Sequence, residues 1–130
     1  MREVLAIKPD MVFLWDEAWF AFARFGPTYR QRTGMHVAAM LRERYRSADY
    51  RKAWEEHREA VAAMDDEALL SERLMPDPDK VRVRVYSTQS THKTLTSLRQ
   101  GSMIHVHDQD FKGQVEQAFH EAYMTHTSTS

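Results

Sequence analysis

Five consecutive apolar residues, Met11-Val12-Phe13-Leu14-Trp15, stand between a Pro9-Asp10 turn signal and the acidic pair Asp16-Glu17. A run this short, rich in strand formers and bounded on both sides, reads as a β-strand buried on both faces. A second strand follows far downstream: from Lys80 to Tyr86, Val81, Val83 and Val85 alternate with Arg82, Arg84 and Tyr86, the period-2 pattern of a sheet with one wetter face. Ser102 to His107 is a third candidate.

Between the first two strands lies a charged stretch, residues 36 to 75, dominated by Ala, Arg, Glu, Met and Leu, which predicts helix. Trp54, His57, Val61, Met64 and Ala68 fall at three- and four-residue steps and form an apolar stripe, core or subunit-packing surface. Ser47 and Asp65 are suited to N-caps, so two or three helices are expected rather than one. Met75-Pro76-Asp77-Pro78-Asp79 ends the helical region, because proline cannot continue it and biases the preceding residue toward extended geometry. A last helix is predicted from Asp110 to Met124, with Phe111, Val115, Ala118, Phe119, Ala122 and Tyr123 on one stripe that runs through Gly113.

The order strand, helices, strand, strand, helix specifies an α/β arrangement. A sheet of about three strands is small for such a layered domain, so the chain is expected to be part of a larger one. The 130 residues have room for a single core. A net charge of −1 gives no overall attraction to phosphate backbones or anionic lipid, which argues against nucleic acid or a membrane as partner. No run is long enough to span a bilayer, and the first residues do not have the pattern of a signal peptide. The absence of cysteine removes disulfides and thiolate chemistry and fits a cytoplasmic setting.

Two charged residues stand where α/β sheets usually place ligands, past the carboxyl ends of strands: Asp16 after the first, Lys93 after the second. Ala18 and Trp19 follow the acid; Ser90, Thr91 and His92 precede the amine. This set suits pyridoxal 5'-phosphate. The cofactor's aldehyde takes a lysine as Schiff base, its ring nitrogen takes a carboxylate, and its phosphate takes hydroxyl and imidazole donors. A small residue such as Ala18 leaves space for a flat ring.

Longer blocks carry a resemblance. Tyr86-Ser87-Thr88-Gln89-Ser90-Thr91-His92-Lys93, continuing through Gln100-Gly101-Ser102-Met103-Ile104-His105-Val106, resembles the lysine-bearing segment of the bacterial ornithine/lysine/arginine decarboxylases, a pyridoxal-phosphate family of fold type I. Asp16-Glu17-Ala18-Trp19 resembles their Asp-x-Ala-Trp, and Phe25-Gly26-Pro27-Thr28-Tyr29 their Phe-Ser-Pro-x-Tyr. Glu121-Ala122-Tyr123-Met124-Thr125-His126-Thr127-Ser128-Thr129-Ser130 resembles their Glu-Ala-Tyr/Phe-Met-Met-His-Thr-Thr/Ser-Thr-Ser.

The resemblance implies the large domain of an aspartate aminotransferase-like fold, mostly parallel in its sheet, with strand 102–107 as the antiparallel member; residues 36–79 depart from it, as a helical insertion between Gly34-Met35 and the lysine strand. It implies decarboxylation of arginine, lysine or ornithine to the amine and carbon dioxide. By the same resemblance Lys93 anchors the cofactor and Asp16 pairs with its ring nitrogen. Ser90 and His92 contact the phosphate, Ala18 and Trp19 line the ring pocket, and Ser128 reaches the phosphate of a neighbouring subunit in a homodimer or higher homo-oligomer with a shared active site. The family's phosphate-binding turn, ring-stacking histidine and carboxy-terminal domain have no counterpart in these 130 residues, so the segment alone is expected to be inactive.

Other readings use the same residues. Aminotransfer shares the lysine and aspartate logic. A non-catalytic, decarboxylase-derived interaction module would use the inserted helices for pairing with an active homologue. His105 and His107 share a strand face, but two imidazoles without a third ligand make a weak metal site; no metal is expected, and His105 is read as a structural hydrogen-bonding residue. The 13 arginines are interspersed with acids, as on a solvated helix face.

Overall fold

The computed structural model describes residues 1–95 and 101–125. A short helix α1 (Arg2–Ile7) leads into strand β1 (Val12–Asp16); a 3-10 turn (Ala21–Phe25) and helix α2 (Pro27–Arg30) follow. Helices α3 (Gly34–Arg46), α4 (Ala48–Ala62) and α5 (Asp66–Ser71) fill the long charged segment. The chain then returns to the sheet as β2 (Arg84–Ser90), turns through the short helix α6 (Thr91–Thr94), and continues as β3 (Ser102–Asp108) and helix α7 (Gln114–Thr125).

The architecture is a mixed α/β one around a three-stranded sheet of order β1-β2-β3. β1 and β2 are parallel, with Asp16 opposite Thr88; β2 and β3 are antiparallel, with Ser87 opposite His105. The parallel pair follows from the long helical crossover between its members. The antiparallel pair joins segments separated by only a short connection.

The valine alternation sets which face is covered. Val81, Val83 and Val85 pack with Leu5 of α1, Ala38, Leu41 and Tyr45 of α3, and Tyr50 of α4. The opposite face receives α7, where Phe119 lies 6.2 Å from the Tyr86 ring and 5.5 Å from that of Phe111. The expected caps are present: the Ser47 side chain accepts from Tyr50 N–H and that of Asp65 from Ala68 N–H. Thr33 caps α3 in the same way. The Tyr50 hydroxyl donates to the Pro76 carbonyl at 2.8 Å, tying α4 to the proline turn.

Several expectations are corrected. β1 is an exposed edge strand, with Leu14 72% and Val12 44% accessible; among the described residues it pairs with β2 alone, on one side. β2 starts at Arg84 and runs to Ser90, later than the valines indicated. Val81 and Val83 point inward as read, but Val83 N–H bonds the Gln109 side chain rather than a neighbouring strand. Polar Ser87 to Ser90 belong to the strand, although their composition resembles a loop. The last helix begins after Gly113, whose φ of +80° lies outside the helical region. Along the Trp54 stripe, Trp54 packs against the core while Ala68 is exposed.

Tyr45 gives a test of the core. Its ring meets Tyr50 edge-on at 5.0 Å, and its hydroxyl is buried without a hydrogen-bond partner among the described residues. Burial, reinforced by the neighbouring Tyr50, pushes its pKa up to about 12. Between pH 10 and 12 the unfolded chain therefore loses a phenolic proton that the folded chain keeps, and stability falls as pH rises. Tyr45→Phe is expected to be neutral or slightly stabilising at pH 7 and to reduce that alkaline loss. Urea midpoints measured from pH 8 to 12 check both; an unchanged alkaline slope refutes the assignment.

Candidate functional site

Because β1 and β2 are parallel, their carboxyl ends lie side by side, and the two sequence blocks that bear candidate chemistry emerge there together. Asp16 is the last residue of β1. One of its carboxylate oxygens, Oδ1, accepts the Ala18 backbone N–H at 3.1 Å and lies 3.3 Å from the Thr88 hydroxyl, which can donate to it. The other oxygen has no hydrogen-bond partner among the described residues. The carboxylate is thus oriented by its own turn and by β2, with one acceptor left open.

Lys93 sits in α6, immediately after β2, and its Nζ lies 5.5 Å from the centre of the Trp19 ring. An exposed cation over an indole contributes roughly 0.5–1 kcal/mol, enough to bias where a long side chain rests. Trp19 is three residues past Asp16, so this contact joins the acid's turn to the amine's helix. Ser90 is buried at the end of β2. His92 is tethered locally: its Nδ1 lies 3.2 Å from the Gly101 carbonyl, to which the Thr91 hydroxyl also donates. That leaves Nε2 as the nitrogen for any further contact.

Asp16, Ala18, Trp19, Ser90, His92 and Lys93 therefore gather at one end of the sheet. Ser128 lies outside the described residues. The donor set fits pyridoxal phosphate at two points: a carboxylate with one oxygen anchored and one open, and an amine that has no carboxylate partner among the described residues and rests on an apolar ring.

The opposite side of these strand ends holds residues to which the sequence reading gave no role in the site. Glu17 is only 6% exposed and accepts the Gly34 N–H at 2.5 Å and the Gln89 side-chain amide at 3.1 Å. The remaining oxygen of Gln89 is 3.1 Å from His105 Nε2, the structural hydrogen bond expected of that histidine. Extending the period-2 reading of β2 through Ser90 would have put Gln89 on the covered face with Val85 and Thr88 on the opposite one; their partners on β1 are set by the register. Among the described residues no group of three or more potential ligands could hold a metal, and no helix is long and apolar enough to cross a membrane.

A family model described as Orn/Lys/Arg decarboxylase, major domain, matches residues 46–130, more than half of the chain. The chain is 57% identical over 47 residues to a lysine decarboxylase of Hafnia alvei and to the inducible lysine decarboxylase of Escherichia coli. Each of these matches covers 35% of this chain and 6% of the relative. A longer match, 30% identical over 119 residues, is to a lysine decarboxylase of Pseudomonas aeruginosa and covers 92% of this chain and 11% of the relative. The chain thus spans a small part of the length of the curated relatives it matches. No solved structure matches it.

Proposed function

The chain belongs to the Orn/Lys/Arg decarboxylase family, and from that premise we propose that it is a segment of the fold type I large domain of a pyridoxal-phosphate-dependent enzyme that removes carbon dioxide from a basic amino acid. The observation that supports this reading is the meeting of the Asp16 turn with the Lys93 helix through Trp19. The bound cofactor supplies an electron sink for the pair left on the substrate's Cα when carbon dioxide departs.

In this reading Asp16 presents its open oxygen to the ring N–H and holds the proton there. An anion beside that nitrogen raises the nitrogen's pKa, and the protonated ring is the stronger sink. Lys93 is the covalent anchor, and Trp19 steers its amine toward the ring. Ser90 and the free Nε2 of His92 bind phosphate, with Ala18 and Trp19 bounding the ring. Ser128 serves the neighbouring subunit of a homodimer or larger homo-oligomer. On this reading the product is a polyamine or related amine and the enzyme is cytoplasmic.

The test is product analysis with the full-length enzyme containing this segment, supplied in turn with lysine, arginine and ornithine. One of them should give amine and carbon dioxide in equal amounts. Formation of the keto acid instead would assign aminotransfer, and no product from any of the three would refute the proposal.

A further inference from the structure

Asp16 and Glu17 are adjacent, so their side chains leave the strand end on opposite faces of the sheet. Asp16 meets Thr88 on the face proposed for the cofactor; Glu17 meets Gln89 on the face covered by α3. The backbone ladder continues under both, with Glu17 N–H donating to the Thr88 carbonyl at 2.9 Å.

Every hydrogen-bonding role in this layer is dictated by its neighbour. A carboxylate only accepts, so Gln89 must turn its amide N–H toward Glu17 and its oxygen toward His105. His105 must then donate from Nε2. One chain of bonds therefore runs from the first residue of α3 through the end of β1 and β2 to β3. Its members are well buried at Glu17 and Gln89, 6% and 8% exposed, where an unmade bond is costly. Gly34 is required at the helix end: a Cβ there would lie 2.9 Å from Trp15 Cδ1 and 3.4 Å from the Glu17 carboxylate. The carboxylate also stands at the positive end of the 13-residue helix α3.

We propose that Glu17 is a positioning residue: the chain Gly34–Glu17–Gln89–His105 fixes, from the covered face, the spacing at which Asp16 and Lys93 present themselves on the other. This rests on the cofactor reading above. Glu17→Ala strips the acceptor from both Gly34 and Gln89. Glu17→Gln places an amide N–H where Gln89 already offers one, and Gln89 can turn its oxygen there only if His105 surrenders its Nε2 proton. The exchange Glu17→Gln with Gln89→Glu restores complementarity. The amide introduced on β1 can accept from Gly34 N–H and donate to the carboxylate introduced on β2, whose second oxygen accepts from His105.

The experiment compares these variants in the full-length enzyme by two readouts on folded protein: the dissociation constant for added pyridoxal phosphate, and mass-spectrometric detection of a pyridoxyl group on Lys93 after borohydride reduction. Each single substitution should weaken cofactor binding by roughly 10-fold or more, and the exchange should recover most of it, as expected for directly coupled residues. A merely structural role would lower the thermal midpoint and leave both readouts unchanged. Wild-type-like cofactor binding in the single variants, or an exchange as weak as they are, overturns the positioning role alone. A wild-type enzyme that acquires no pyridoxyl group on Lys93 overturns that role together with the decarboxylase reading. If Glu17→Ala does not fold, Glu17→Gln and the exchange carry the same decision.

Discussion

Lys93→Ala in the full-length enzyme is expected to abolish covalent cofactor attachment and reduce decarboxylation to background, with the fold retained. The side chain is exposed and rests on the Trp19 ring, so its removal leaves no buried cavity. The choice of this lysine is physical as well as positional. Lys8, Lys52 and Lys80 each lie beside a carboxylate, at 2.7 Å from Asp10, 3.9 Å from Glu56 and 3.5 Å from Asp77. Each of those amines is already engaged, and Lys112 follows the far end of β3, at the opposite end of the sheet from Asp16. Lys93 has an indole for company. Borohydride reduction followed by peptide mapping checks the prediction, and a pyridoxyl group that persists on any other lysine of the variant refutes it. Lys93→Arg should fail equally, since guanidinium keeps the charge but does not lose its proton to become a nucleophile.

Much of what surrounds this lysine could be read from the sequence because it rests on local rules. The valine alternation gave the covered face of β2, and the helix formers with Ser47 and Asp65 gave α4 and α5 and their caps. The antiparallel direction of the third strand came from the resemblance. What escaped were features decided by pairing. Whether Met11–Trp15 is buried depends on what lies beside it, and its composition says only that it suits a strand. The strand reading ends at Tyr86 because no apolar residue continues the alternation through Ser87, Thr88, Gln89 and Ser90; ladder bonds to β1 and β3 hold these four in the strand. The same pairing builds the site. Asp16 meets Thr88, and Glu17 meets Gln89, each 72 residues apart in the chain, and no local periodicity encodes such a match. The acid and the amine were visible as residue types, whereas the layer behind them became legible only once the register was known.

That register also shapes the outcome expected for Asp16→Asn. Asparagine keeps an oxygen where Oδ1 accepts from Ala18 and Thr88, so the turn and the strand end should survive. At the open position it substitutes an amide N–H for an acceptor, which then faces the ring N–H donor to donor. Removing one pre-positioned electrostatic partner typically lowers turnover roughly 10²–10³-fold, and a loss of that size is predicted here with protein folding and the Lys93 attachment intact. The pH dependence has a definite sign. Without the carboxylate the ring nitrogen's pKa drops, so the ring loses its proton at a lower pH than in the wild type. Residual activity of the variant, relative to wild type at the same pH, should therefore rise as the solution is made more acidic. Steady-state rates across the stable pH range, paired with cofactor occupancy at each point, decide the matter. Turnover near that of the wild type, or a relative rate that climbs toward alkaline pH, would show that the acceptor for the ring proton is a different group.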